Sequence, residues 1–369
     1  MGHIVNAKEE VYRALAERLH KNPVGAPLNE TLLEILHRLY SAAEAEVGGK
    51  FPMLPMPLSK ISAITGIGEN ELQGILESMC QKGLVLDLPR RDGVLFMLAP
   101  MVVGFFEYTF MRVGENQDMR ELAGLFNRYF AHGEVRREFF GSGTKMFKAL
   151  VYERLIPALV ETEVLDYEKA SALIRQSGGG SLGMCSCRHK AQHLGEACGA
   201  PVEDVCTSLG NSAKWLISRG LAKPASVDEM LRVLDRTEKM GLVHLGDNVM
   251  KNPAYICHCC GCCCQVLRTI NETGIPAAQP SNFIPAPERE SCLGCGTCAA
   301  VCHISAITMQ TDGRDEIPLI DKDRCIGCGV CAGACPYEAM KMYRRPTPYT
   351  PPADKGEQFA RLAKEKSRI

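Results

Sequence analysis

The chain has 369 residues, a formal net charge of −1 and 19 cysteines. That length allows two or three domains with separate cores, and the near-neutral charge gives no global field for nucleic acid, an acidic partner or a membrane surface. No run of about 18 apolar residues offers a membrane span, and the start, Met1-Gly2-His3-Ile4-Val5, lacks the basic lead and apolar run of a signal peptide.

Residues 7–20 and 29–46 read as amphipathic helices, with Val11, Tyr12, Leu15 and Leu19 on one apolar stripe and Leu32, Leu33, Ile35, Leu36, Leu39 and Tyr40 on the other. The prolines of Phe51–Leu58 break any helix. A short helix, a Gly66–Gly68 turn and a second helix with Leu72, Ile75, Leu76 and Met79 facing inward follow. Gly83 caps that helix, and two β-segments, Leu84–Leu88 and Val94–Leu98, are joined by Arg90-Arg91-Asp92-Gly93. This pattern resembles a winged helix, so residues 1–100 are expected to form a helical plus winged-helix-like domain. The second helix carries Glu69, Glu71 and Glu77 against a single base, Lys82. A helix that acidic repels phosphates, so protein docking is favoured over DNA binding. Phe105, Phe106, Tyr108, Phe110, Phe126, Tyr129, Phe130, Phe139 and Phe140 follow, and core packing is their expected use.

Residues 101–285 are expected to form a mostly helical, cysteine-rich module that binds clusters. Helices are expected at 207–219 and at 226–240, the latter opening on a capping box of Ser226 and Glu229. Gly178-Gly179-Gly180 lacks the strand-loop-helix context of a phosphate-binding turn. Ten cysteines fall here in two sets: Cys185, Cys187, Cys198 and Cys206, then Cys257, Cys259, Cys260, Cys262, Cys263 and Cys264. Four suffice for one cube, and adjacent thiols are expected to diverge, so the second set exceeds the needs of one cluster. One or two iron–sulfur clusters, beyond those of the cysteine repeats at 292–335, are expected from these ten metal-ligand candidates. Zinc, with His189, His193 or His258 as nitrogen ligands, is the less favoured reading. His258, between Cys257 and Cys259, is the histidine that would raise a cluster's potential if it bound iron. His189 and His193 read as surface or supporting groups. Arg188 places a cation beside Cys187.

The most specific signal comes next. Cys292-x-x-Cys295-x-x-Cys298-x-x-x-Cys302 is repeated as Cys325-x-x-Cys328-x-x-Cys331-x-x-x-Cys335, followed by Pro336. Three thiolates at two-residue intervals wrap one face of a [4Fe–4S] cube, and the fourth reaches the neighbouring cube. The expected ligand sets are therefore crossed: Cys292, Cys295, Cys298 and Cys335 around one cluster, Cys325, Cys328, Cys331 and Cys302 around the other. Zinc ribbons would instead show separated Cys-x-x-Cys pairs. Cysteine in metal-ligand spacing within a large chain, rather than in a small disulfide framework, points to a reducing cytoplasm, of an anaerobe given so many oxygen-sensitive centres.

Residues 286–345 resemble the bacterial-type ferredoxin with two [4Fe–4S] clusters. Gly294, Gly296, Gly327 and Gly329 match its small loop residues, and Ala306-Ile307 and Ala339-Met340 match the apolar pair that packs over each cluster. Cys302 is followed by His303 where that family usually has proline, a change expected to act on the potential of the cluster Cys302 ligates. The longer stretch from Tyr152–Pro157 through Cys185-x-Cys187-Arg188 to Cys257–Cys264 is similar to a module preceding such a domain in 4Fe–4S binding proteins of anaerobes. That resemblance implies electron transfer and names no substrate.

Residues 346–369 read as a proline-rich linker and a tail helix from Glu357, expected to be a solvated tail. The fold class expected is thus α+β and multidomain. The expected function is an electron-transfer protein or subunit passing single electrons between a low-potential donor and a partner redox enzyme. No catalytic residue is assigned, and the chain reads as a component of an oxidoreductase complex rather than an independent enzyme. A redox-sensing transcriptional regulator and an oxidoreductase subunit with a catalytic central cluster are the alternatives.

Overall fold

The computed structural model describes residues 2–112, 119–156, 166–313 and 315–368. Of the expected Tyr152–Pro157 motif, Pro157 lies outside them. The fold is mixed α/β, and the chain divides into two compact units. One comprises residues 1–142, 189–196 and 360–369; the other comprises 143–188 and 197–359. Among the described residues no helix is long and apolar enough to cross a membrane.

The first unit begins with the helices Gly2–His20, Glu30–Leu39 and Ala42–Gly49. The continuous helix expected over 29–46 is divided because Ser41 takes an extended conformation and caps a new helix. Its hydroxyl accepts from Glu44 N–H while the Glu44 carboxylate accepts from Ser41 N–H. Strand β1 (Met56–Pro57), the helices Leu58–Thr65 and Glu69–Lys82, and the hairpin β2 (Val85–Arg90) and β3 (Gly93–Leu98) follow. These strands form an antiparallel sheet in the order β1-β3-β2. Lys82 binds the carboxylate of Glu44 at 2.7 Å. Phe106, Phe110, Phe126 and Phe130 pack edge-to-face, tilted and, for Phe126 and Phe130, stacked in the core, with centroids 4.8–6.1 Å apart.

The second unit is built on a sheet the sequence reading did not anticipate. Six short strands, β4 (Phe147–Leu150), β5 (Gly180–Gly183), β6 (Cys206–Leu209), β7 (Ala222–Ala225), β8 (Val243–Asp247) and β9 (Tyr255–Cys259), pair antiparallel in the order β4-β8-β9-β6-β5-β7. Helices do occupy much of the segment, but the sheet organises it. Cys206-Thr207-Ser208-Leu209 extends as β6, so the helix expected over 207–219 is confined to Gly210–Ser218. The helix Val227–Lys239 opens on the Ser226/Glu229 capping box. Together with Ala170–Ser177 it covers one sheet face, burying Leu150, Leu173, Ile174, Leu182, Met230, Val233 and Ile256.

Side chains alternate across a strand, and that alternation positions the cysteines. Ile256 and His258 of β9 turn toward the covering helices, which leaves Cys257 and Cys259 on the opposite face. Cys206 lies directly across from Cys257 in the β6–β9 register. The chain continues through the helix Gln265–Thr273 to β10 (Phe283–Pro287), which pairs antiparallel with β13 (Met340–Arg344). Between them lie the β11 (Ile307–Asp312) and β12 (Asp315–Ile320) hairpin and two one-turn helices, Thr297–Ala300 and Val330–Gly333.

The C-terminal helix spans Lys355–Glu365 and is not a solvated tail. In the second unit Gln358 is fully buried, its amide donating to the carbonyls of Lys145, Met146 and Asn248, and Lys355 reaches the buried carboxylate of Asp247. In the first unit Lys366 and Arg368 both bind Glu138 at 2.7 Å. Leu362 and Ala363 of this helix are buried as well.

Candidate metal centres

The two cysteine repeats surround two cavities. One is lined by Cys292, Cys295, Cys298 and Cys335, with Gly294, Gly296, Ala339 and Met340. The other is lined by Cys302, Cys325, Cys328 and Cys331, with Gly327, Gly329, Ala306 and Ile307. The fourth cysteine of each repeat thus joins the first three of the other. Each one-turn helix begins just before the third cysteine, and the strand after each repeat supplies the apolar pair at the cavity wall. Gly327 has φ 68°, and a Cβ there would stand 2.1 Å from the Phe283 carbonyl oxygen, so the loop closes only with glycine. Burial raises the Cys328 thiol to about 12, and burial also raises Cys325 and Cys331. Apolar surroundings of this kind disfavour bare thiolates, and a bound cation would compensate them.

Three supports were not visible in the sequence. Arg345, the last residue of the ferredoxin-like stretch, donates to the Cys325 carbonyl at 2.8 Å and to the Ser281 carbonyl at 3.0 Å. Ser281 Oγ in turn donates to the Gly327 carbonyl at 2.6 Å. Tyr152 N–H donates to the Cys328 carbonyl at 3.2 Å. Only tertiary pairing reveals these partners, because they lie 20 or more residues from the loops they brace.

Residues 291–339 match the family model of the 4Fe-4S dicluster domain. This segment is a ferredoxin-like iron–sulfur domain. No curated protein and no solved structure matches the chain.

The ten central cysteines divide differently from their order in the sequence. Cys198 leaves its first-set companions and meets Cys260, Cys262 and Cys263, all four sulfurs lying within 4.8 Å of one another. The expectation that adjacent thiols diverge fails at Cys262 and Cys263, whose sulfurs are 3.7 Å apart. The Cys264 N–H donates to the Cys260 carbonyl at 3.2 Å, closing a turn between these residues. On the sheet's cysteine face the Cys264 thiol interacts with Cys187 and Cys259, and Cys259 also with Cys257. Those interactions with Cys187 and Cys259, then the backbone N–H groups of Leu267 and Val266, hold Cys264 well below the ordinary thiol value. Cys185, raised to about 11 chiefly by burial, interacts electrostatically with Cys257 and Cys264. Cys206 stands opposite Cys257.

Arg188, fully buried, links the two groups. It donates to the carbonyls of Pro201, at 2.7 Å, and His258, and interacts electrostatically with Cys260. The bond from Cys263 and the Arg188 cation outweigh burial and lower Cys260 to about 4. His258 does not join the cysteines. Thr237 Oγ1 lies 2.9 Å from its Nδ1 and Thr207 Oγ1 3.2 Å from its Nε2, so both ring nitrogens are engaged behind the sheet. His189 and His193 bond to each other at 3.1 Å, and His189 Nδ1 donates to the Phe110 carbonyl at 2.7 Å.

His303 connects the cysteine loop to the ferredoxin-like domain. Gly261 N–H donates to its Nδ1 at 3.1 Å, so the ring proton sits on Nε2 and is donated to the Gly241 carbonyl at 2.7 Å. A Cβ on Gly261 would lie 2.3 Å from the His303 carbonyl oxygen. The residue that departs from the ferredoxin pattern therefore ties the Cys260–Cys264 turn to the backbone next to Cys302.

Proposed function

We propose that this chain is an iron–sulfur electron-transfer protein or subunit, carrying single electrons between a low-potential donor and a partner redox enzyme. The observation that carries this reading is the pair of cysteine-lined cavities in crossed sets, joined through His303 to a further thiol group. Cys292, Cys295, Cys298 and Cys335 would hold one [4Fe–4S] cluster, and Cys325, Cys328, Cys331 and Cys302 the other. When bound, each cluster supplies one-electron reduction at a potential tuned by charge, hydrogen bonding and exposure. The protein's part is to hold the thiolates, exclude water with Ile307 and Met340, and fix the loops through Ser281, Tyr152 and Arg345. Cys295 is exposed, so one cavity opens to solvent where a partner can approach. Cys185, Cys187, Cys206, Cys257, Cys259 and Cys264 are the ligand pool for an additional cluster beside the domain.

The helix–turn–helix and hairpin of residues 58–98 support the winged-helix reading, in a docking role. The single base on its second helix, Lys82, is already held by Glu44, which leaves Glu69, Glu71 and Glu77 to set the charge of that surface. Cytoplasmic residence in an anaerobe belongs to the same proposal. The test is anaerobic titration of the full chain with titanium(III), followed by reoxidation with a one-electron acceptor. Reversible uptake of more than two electrons per chain is expected. Failure to take up electrons would sink the proposal, and retention on DNA against competitor DNA would favour a sensor.

A further inference from the structure

The quartet in the central segment has dimensions unlike those of the other cysteine groups. Cys198 Sγ lies 3.5 Å from Cys260 Sγ and 4.0 Å from Cys263 Sγ, and Cys262 Sγ lies 3.7 Å from Cys263 Sγ. Four sulfurs bound at about 2.3 Å to one tetrahedral ion stand about 3.8 Å apart, which is the edge of that tetrahedron. A four-iron cube binds each thiolate through a different iron, so the body of the cube spreads its ligand sulfurs much further. The ferredoxin-like cavities provide the comparison within the same molecule. Among the described residues, this quartet is the one group of three or more such ligand atoms placed to hold a single metal ion. The separations are also far longer than the about 2.05 Å of a disulfide.

The surroundings fit a closed structural site. Cys260 and Cys263 are buried, and the Cys260–Cys264 turn presents three donors from four residues while Cys198 arrives from a separate loop. Four thiolates around a divalent ion leave two negative charges, and the guanidinium of the buried Arg188, which interacts electrostatically with Cys260, offsets one of them. Four protein ligands leave no open position for substrate. Thiolate sites bind divalent zinc more tightly than ferrous iron.

We propose that Cys198, Cys260, Cys262 and Cys263 hold a single tetrahedral zinc ion that is structural and separate from the iron–sulfur centres. The ion pins the turn whose Gly261 meets His303, and so fixes the wall of the cavity that Cys302 lines. It is independent of the electron-transfer reading, since zinc changes no oxidation state.

The experiment is zinc-edge X-ray absorption and metal analysis on the anaerobically purified full chain, with Cys262→Ser and Cys198→Ser beside it. The expected result is about one zinc per chain with four sulfurs at about 2.3 Å. Each variant should lose that zinc and keep its iron, its acid-labile sulfide and the electron paramagnetic resonance (EPR) signals of the reduced clusters. Wild-type protein without zinc, or zinc ligated by nitrogen or oxygen, overturns the proposal. So does a variant that loses about four irons with matching sulfide, which would make the quartet a cube site, or one that loses iron without sulfide. The wild-type spectrum decides the matter even if neither variant folds. Zinc intact in a protein that takes up no electrons would refute the electron-transfer reading and leave this one standing.

Discussion

Replacing Gly261 by alanine tests whether the central cysteine turn and the ferredoxin-like domain act as one structure. The added Cβ would stand 2.3 Å from the His303 carbonyl oxygen, where such contacts do not fall below 3.0 Å, so the two loops must part by about 0.7 Å. That displacement would stretch the 3.1 Å hydrogen bond from Gly261 N–H to His303 Nδ1 beyond useful length. Overpacking costs about 1–3 kcal/mol and the lost bond about 1 kcal/mol, for a local destabilisation of about 2–4 kcal/mol. Gly199→Ala is the control, because a Cβ there meets nothing within 4 Å. Thermal unfolding of the anaerobic holoprotein and EPR-monitored redox titration read both consequences. Gly261→Ala should lower the unfolding midpoint and shift the potential of the cluster bound by Cys302 more than that of its neighbour. Gly199→Ala should match wild type. A Gly261→Ala protein identical to wild type in midpoint and in both potentials would refute the coupling.

Three further outcomes are expected. Cys335→Ser should remove the same EPR signal as Cys292→Ser, and Cys302→Ser the same signal as Cys325→Ser; pairing by sequence repeat instead would show that the ligand sets are not crossed. Burial raises Glu44, but the bonds from Lys82, Ser41 and Ser78 more than reverse this and leave it below 4.5. Its stabilising effect is therefore present above the ordinary carboxyl value and lost as pH falls through the lowered one. Lys82→Met should cost about 1–2 kcal/mol near neutral pH, given one exposed partner, and the deficit should shrink in acid urea melts; a deficit that persists unchanged would refute the role of that pair. Burial lowers the Lys148 ammonium to about 8, against the weaker pull of Asp247 and Glu168. Its charge is thus penalised in the fold below pH 8, and stability should rise by up to about 3 kcal/mol as pH climbs from 8 to 10.5. Lys148→Met should flatten that rise in denaturant melts, even though it strands the carbonyls of Tyr167 and Val249; an unchanged slope would refute the assignment.

How far the sequence revealed this structure depended on how local each interaction is. The Ser226/Glu229 cap, the Gly83 stop and the hairpin around Arg90–Gly93 are built from neighbours a few residues apart, and the pattern announces them. The ferredoxin-like segment was legible because its ligand spacing is dictated by the metal cluster, which leaves little freedom. The six-stranded sheet was not legible. Its strands are four or five residues long, and Ser181, Thr207, Ser208, His244 and Asp247 are buried in it, so neither alternation nor apolar runs mark them. The grouping of the central cysteines follows from that sheet. Strand alternation separates His258 from Cys257 and Cys259, and the turn after β9 folds Cys262 and Cys263 onto Cys198. Nor did the basic tail announce its burial, because Gln358 and Lys366 find their partners over 100 residues away.

The most direct test of electron transfer is an anaerobic potentiometric titration of the full-length chain, followed by EPR with spin counting. Two magnetically interacting one-electron centres from the crossed cavities are predicted, with a further centre from the group around Cys264. A chain that binds iron yet shows no reducible centre, or centres that survive serine at Cys302 and Cys335 together, would contradict the account.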